Sequence, residues 1–146
     1  MRLAGGSPRY QLYPTRDGKL VACGALEQKF WLAFCNTIGL AAPLMNDLAD
    51  PAATKAAIAA IIARETAEHW RPKFAAADCC VTIMASLEDA LQDPHFVERG
   101  LFAHAVSAAS GATMPALPVP IAQTLRAVPG VKASPKLGAD TGALLK

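Results

Sequence analysis

Clusters of one charge are missing from this sequence. Its 14 Lys and Arg and 12 Asp and Glu leave a formal charge of +2 and are spread along the chain. A duplex-binding surface needs several gathered cations to neutralise phosphates, so nucleic acid is not an expected partner. No apolar run approaches the roughly 20 residues a membrane span requires, and the opening MRLAGGSPRY has no apolar centre to act as a secretory signal. A soluble, cytoplasmic protein without membrane contact is expected. Aromatic residues make up only 6% of the chain against 53% hydrophobic residues overall. The core must therefore be built mainly from Ala, Leu, Ile and Val, with Trp31, Trp70 and the Phe residues as large anchors. C-x-x-C spacings are absent among Cys23, Cys35, Cys79 and Cys80, which removes the usual presentation of thiolates to zinc; no metal site is expected. Buried free thiols are the expectation, because a vicinal disulfide between Cys79 and Cys80 would be strained.

What is present suits one compact domain, since 146 residues can bury most of the surface an unfolded chain exposes. Residues 10–15 and 19–25 read as two strands around the Arg16-Asp17-Gly18 turn, where glycine tolerates positive φ. From Glu27 the period changes. Phe30, Phe34 and Ile38 recur at helical spacing beside Trp31, and Gly39 stands where a C-terminal cap belongs. Residues 40–51 read as a loop. Asp50-Pro51 opens a helix whose register runs through Ile58, Ile61 and Ile62 and on from Glu65 to Trp70, with a break expected near Pro72. Residues 79–84, with Val81, Thr82 and Ile83, have the composition of a short buried strand. Ser86 should cap a short helix and Asp93-Pro94 begin another, with Phe96 and Val97 inward. Residues 101–108 and 113–121 read as strands around Ser110-Gly111, the second confined to an edge by Pro115, Pro118 and Pro120. The fold class expected is α+β, a small mixed or antiparallel sheet with packed helices. Residues 1–126 would form the domain. Residues 127–146 would be a tail, with a short helix near Thr141, that needs something else to dock on.

The order of these motifs resembles the C-terminal third of the family III CoA-transferases, and within them the α-methylacyl-CoA racemase branch. The resemblance rests on Gly5, Gly6, Pro8 and Tyr10, the DGK turn, the G-A-x-E-x-x-F junction at residues 24–30, the D-x-C-V-T strand at 78–82 and D-P-H-x-x-x-R-G at 93–100. It covers nearly the whole chain. The chain departs from the usual pattern at Ile83 and Met84, where a proline commonly follows Val-Thr, and at Ala139-Asp140.

The resemblance implies the small α+β domain of that family, set between parts of a larger domain in an interlinked homodimer. Active sites there lie between the large domain of one chain and the small domain of the other. The nucleophilic aspartate of the transferases, or the histidine and aspartate pair of the racemases, falls upstream of the matched region. The chain is thus expected to be incomplete alone and to need an upstream half, within a homodimer or on a separate polypeptide, to act on acyl-CoA. No cofactor of its own is expected, coenzyme A entering as part of the substrate. Two alternatives stand beside a racemase-like fragment: a transferase moving CoA between carboxylic acids, and a non-catalytic binding or assembly module on the same scaffold.

Glu27, the acid of GALE, matches the glutamate that supports the racemase active site by hydrogen bonding. Proton removal beside a thioester carbonyl needs acid and base groups held in set protonation states, which a fixed carboxylate assists. A glutamate there can instead serve only the positive end of the helix, worth ~0.3–1 kcal/mol. Gly5 and Gly6, which permit close backbone approach, and Tyr10 are the candidate substrate-binding residues. His69, His95 and His104 stand beside no arrangement that suggests nucleophilic catalysis and are read as surface or structural.

Overall fold

The computed structural model describes residues 5–145, which fall into two compact units dividing between Met84 and Ala85. This division lies upstream of the boundary expected at residue 126. The architecture is α+β in both units.

The first unit is built on a three-stranded antiparallel sheet of order β1-β2-β3, from Gln11–Pro14, Leu20–Cys23 and Val81–Ile83. Its register places Tyr13, Val21 and Ile83 side by side on the inner face and Leu12, Ala22 and Thr82 on the outer one. This is the two-residue alternation of a sheet with one buried face. The expected hairpin forms: Gly18 sits at φ +75 and its N–H donates to the Thr15 carbonyl at 3.0 Å.

Helix α1, Gln28–Ile38, buries Trp31, Phe34, Cys35 and Ile38, the stripe that the spacing predicts. Gly39 ends it at φ 70. The Gly39 N–H donates to the Asn36 carbonyl and the Leu40 N–H to the Cys35 carbonyl at 2.9 Å, closing the last turn. Helix α2, Pro51–Ile62, starts at Asp50, whose side chain accepts the Ala53 N–H at 2.9 Å. Between them residues 42–45 form one tight turn.

Here the structure corrects the sequence reading. The helix does not run on to Trp70 but stops at Ile62, and a separate α3, Ala67–Ala77, begins at Thr66. The Ile62 carbonyl, which a continuous helix would offer to the N–H four residues on, accepts the Trp70 indole N–H at 3.0 Å. The hairpin turn holds the break open. The Arg16 N–H donates to the Glu65 carbonyl at 2.9 Å, and the Ala67 N–H donates to Asp17 Oδ1 at 3.0 Å. The Thr15 hydroxyl beside Asp17 and the Ala67 amide hold that carboxyl below the usual carboxylate range. Pro72 lies inside α3 rather than at a break. The bond it omits would go to the carbonyl of Glu68, an exposed first-turn residue that water can satisfy.

The core of this unit sits between the sheet and the three helices, where Trp31, Phe34, Ile58, Ile62 and Val21 are fully enclosed. Burying each large side chain of this kind contributes ~1.5–3 kcal/mol over leaving it exposed. Cys23, Cys35 and Cys79 belong to this core as free thiols, whereas Cys80, at φ 55, is exposed. Burial pushes the Cys23 thiol up to about 11 and the Cys35 thiol up to about 12. In the folded chain an aromatic disulfide reagent at neutral pH should label Cys80 alone, and all four thiols after unfolding. Since these thiols titrate higher in the folded than in the unfolded state, their contribution to stability is complete below pH 9. It should fade as pH rises from there toward 11 and 12, seen as a falling melting temperature across that window.

The second unit carries two short helices and a second sheet. Helix α4, Leu87–Gln92, has a reciprocal cap: Asp89 N–H to Ser86 Oγ at 3.1 Å and Ser86 N–H to Asp89 Oδ2 at 3.2 Å. Helix α5, Pro94–Glu98, starts at Asp93 as expected. Phe96 meets Phe102 edge to face at 6.3 Å, but Val97, expected inward, is exposed. Strand β4, His104–Ser107, pairs antiparallel with β5, Thr113–Ala116, and parallel with β6, Val131–Ala133, in the order β5-β4-β6. Pro115 therefore lies on an edge strand, where its missing N–H is tolerated. The segment expected as a tail supplies β6 and the terminal helix α6, Thr141–Leu144. No residue of 85–145 whose side chain is described is buried. Among the described residues no helix is long and apolar enough to cross a membrane.

Candidate functional site

The junction between β2 and α1 holds Glu27, the residue that the resemblance singles out. The strand ends at Cys23, and the Leu26 N–H turns back to the Gly24 carbonyl at 2.8 Å. Glu27 follows in extended geometry, φ −75 and ψ 144, as the residue that opens α1. Its side chain is exposed and makes no capping hydrogen bond to the helix. The carboxylate thus stands at the positive end of a helix without being consumed by it, and can reach a group brought from outside.

Its sequence neighbours Leu26 and Gln28 line a cavity of about 290 Å³ together with Gly6, Ser7, Arg9 and Asp47. One wall is polar. Arg9 Nη2 lies 2.7 Å from Asp47 Oδ1, and Arg9 Nε lies 3.1 Å from both carboxylate oxygens, with the two side chains only 17% and 5% exposed. The guanidinium also stands 4.9 Å from the centre of the Trp31 ring, and Nη1 donates to the Leu26 carbonyl at 3.3 Å. The Trp31 indole N–H in turn donates to the Met45 carbonyl at 2.7 Å. The loop after α1, the helix itself and the β2–α1 junction are therefore tied to one arginine.

The other expected site residues are divided between two places. Gly6 lines the cavity beside Glu27, while Gly5 and Tyr10 line a shallower groove of about 580 Å³ over the outer sheet face, with Leu12, Ala22, Cys80 and Thr82. Gly5 sits at φ +73, and its carbonyl accepts both Lys55 Nζ at 3.2 Å and Gln11 Nε2 at 3.3 Å, so the glycine pair is anchored at that end. Tyr10 is 41% exposed. The second tyrosine is different: Tyr13 is buried and donates to the Pro8 carbonyl at 2.8 Å, and burial pushes its phenol well above the usual range. His69 and His95 are exposed and His104 half-buried. Among the described residues no three of His, Cys, Asp and Glu gather as a metal site.

Sequence reasoning missed Arg9 and Asp47. The pair spans 38 positions and joins two irregular segments, so no periodicity connects them. The available signal was compositional: an arginine set in the glycine- and proline-rich opening, and an acid in a loop otherwise short of charge.

The profile of CoA-transferase family III matches residues 2–141. The chain is 32% identical over 148 residues to the alpha-methylacyl-CoA racemase of Mus musculus and 30% identical over 147 residues to that of Homo sapiens. Both alignments cover 99% of this chain, but only 38% of the mouse protein and 37% of the human one. Among solved structures, that of a mutant of Rv3272 from Mycobacterium tuberculosis superposes with a TM-score of 0.63 at 20% identity, over 100% of this chain and 42% of that one. The α+β arrangement described above is thus shared with a known fold.

Proposed function

The chain belongs to CoA-transferase family III, and from that membership we propose that it is the C-terminal part of an α-methylacyl-CoA-racemase-like enzyme, exchanging the α-proton of a 2-methylacyl-CoA. The observation that carries this reading is Glu27, an exposed carboxylate at a helix start, unused by the helix, between Leu26 and Gln28, which line a cavity. The two racemases that align along nearly all of this chain support the choice of branch.

Chemically, α-proton exchange needs a base to take the proton from the carbon next to the thioester carbonyl. The enolate oxygen must be stabilised, and an acid must return a proton to either face of that carbon. In the proposed division of labour the groups that move the proton come from the upstream portion. Glu27 holds one of them in its working protonation state by hydrogen bonding. Gly6 at the cavity, with Gly5 and Tyr10 at the groove, contacts the acyl-CoA. A missing portion is also supported by the second unit, where Leu117, Val119, Leu125 and Leu137 stand exposed with no core to enclose them. Such a surface suits docking on a larger domain, in the same chain, a homodimer or a separate polypeptide.

The description of the family favours one second reading, transfer of CoA between carboxylic acids, in which the upstream portion would supply a carboxylate nucleophile. Loss of deuterium from an α-deuterated 2-methylacyl-CoA separates the two. The chain alone should release none; the chain combined with an upstream half of this family should release it without any acceptor acid. Release by the chain alone, or release only when a second carboxylic acid is added, would overturn the racemase reading.

A further inference from the structure

We infer that Arg9 is a positioning residue for Glu27: its guanidinium, locked by Asp47 and Trp31, fixes the peptide that immediately precedes the carboxylate. The inference rests on the reading of Glu27 given above and adds what aims it. A capping hydrogen bond would ordinarily set the direction of a residue at a helix start, and Glu27 makes none. Aim must then come from the backbone on its N-terminal side. The fixed group there is the Leu26 carbonyl, held at 3.3 Å by Arg9 Nη1.

Arg9 is itself held on three sides. Nε and Nη2 engage both oxygens of Asp47, the guanidinium lies over Trp31 at 4.9 Å, and the Arg9 carbonyl accepts the Cys23 thiol at 3.5 Å. Only a planar fork with several fixed donors can grip a carboxylate and a carbonyl in different directions at once; an ammonium acts as a single point charge. A largely buried ion pair of this kind gains little net stability over an apolar replacement because of its desolvation cost, whereas removing one partner alone strands the other charge and destabilises the fold. Asp47 is the anchor of the pair, reaching back from the loop after α1.

The discriminating variant is Arg9→Lys, which retains the charge opposite Asp47 and loses the fork. In the chain joined to an upstream half, α-proton exchange should fall about tenfold in kcat with KM within about twofold, because misaim affects the transition state and not binding. In the chain alone, the amide resonances of Leu26, Glu27 and Gln28 should shift while the melting temperature stays near that of the parent. A role confined to charge would be rescued by lysine. Should Arg9→Lys fail to fold, the near-isosteric Asp47→Asn should give the same resonance shifts and a slowed kcat in a chain that melts lower than the parent, since the guanidinium loses its paired charge. Combining the two changes in a folded double variant should slow exchange no further than the worse single one, as for groups acting as one unit. Parent-like kcat in Arg9→Lys beside a slow Glu27→Gln would overturn the brace alone. Parent-like exchange in Glu27→Gln would overturn the reading on which the brace depends.

Discussion

Replacing Glu27 with Gln in an enzyme assembled from this chain and an upstream half is expected to slow α-proton exchange about a hundredfold, because the proton-moving group it supports, itself worth about 10²–10⁴-fold, would lose its working protonation state. The substitution is nearly isosteric and removes only the charge and the acceptor character of one oxygen. Because Glu27 is exposed and caps nothing, the variant should melt within about 0.5 kcal/mol of the parent, as surface changes away from structural features do. That separation is the strength of the test: lost rate with retained stability places the carboxylate in the chemistry. The quantity to measure is deuterium release from an α-deuterated 2-methylacyl-CoA at saturating substrate, alongside thermal unfolding. A parent-like rate would remove Glu27 from the site, and a large drop in melting temperature would return it to a purely structural role.

The second large effect concerns the two units. Amide hydrogens of β2 and α1 back a core in which Trp31, Phe34 and Val21 are fully enclosed, so they should exchange only when the first unit opens as a whole. Those of β4, β5 and β6 belong to a unit with no buried side chain among the described ones, and local opening there should cost little. In the chain alone, exchange in residues 104–107 should outpace that in residues 28–38 by about three orders of magnitude, on the scale of a typical domain stability. Adding an upstream half should slow it, since the exposed Leu117, Val119, Val128 and Val131 would then have a surface to meet. Uniform protection across residues 5–145 without that half would show that the second unit is stable unaided and would undercut the fragment reading.

Much of this molecule was legible from local patterns. The Asp17-Gly18 turn, the Trp31-Phe34-Ile38 stripe closed by Gly39, the Asp50-Pro51 start, the Ser86 cap and the Val81–Ile83 strand all depend on residues a few positions apart. Short-range chemistry decides such features, so a linear reading reaches them. The same holds for the family, whose motifs recur in fixed order.

What local pattern could not reach was decided by contacts between distant segments. The break after Ile62 exists because Trp70 takes its carbonyl and the hairpin turn holds Glu65 and Ala67, although helix propensity alone favoured running on. Gly5 and Tyr10 meet the outer sheet face, whereas the cavity next to the β2–α1 junction is lined by the opening segment, that junction and the loop after α1. The Arg9–Asp47 brace joins positions with no spacing rule between them. Sequence therefore determined most of the elements, several of their caps and the lineage, because those are written in neighbouring residues, but not where the second helix ends or that residues 131–133 join a sheet. Only the tertiary structure decided which carbonyls, carboxylates and rings share a site, because a folded chain assigns those partners through space.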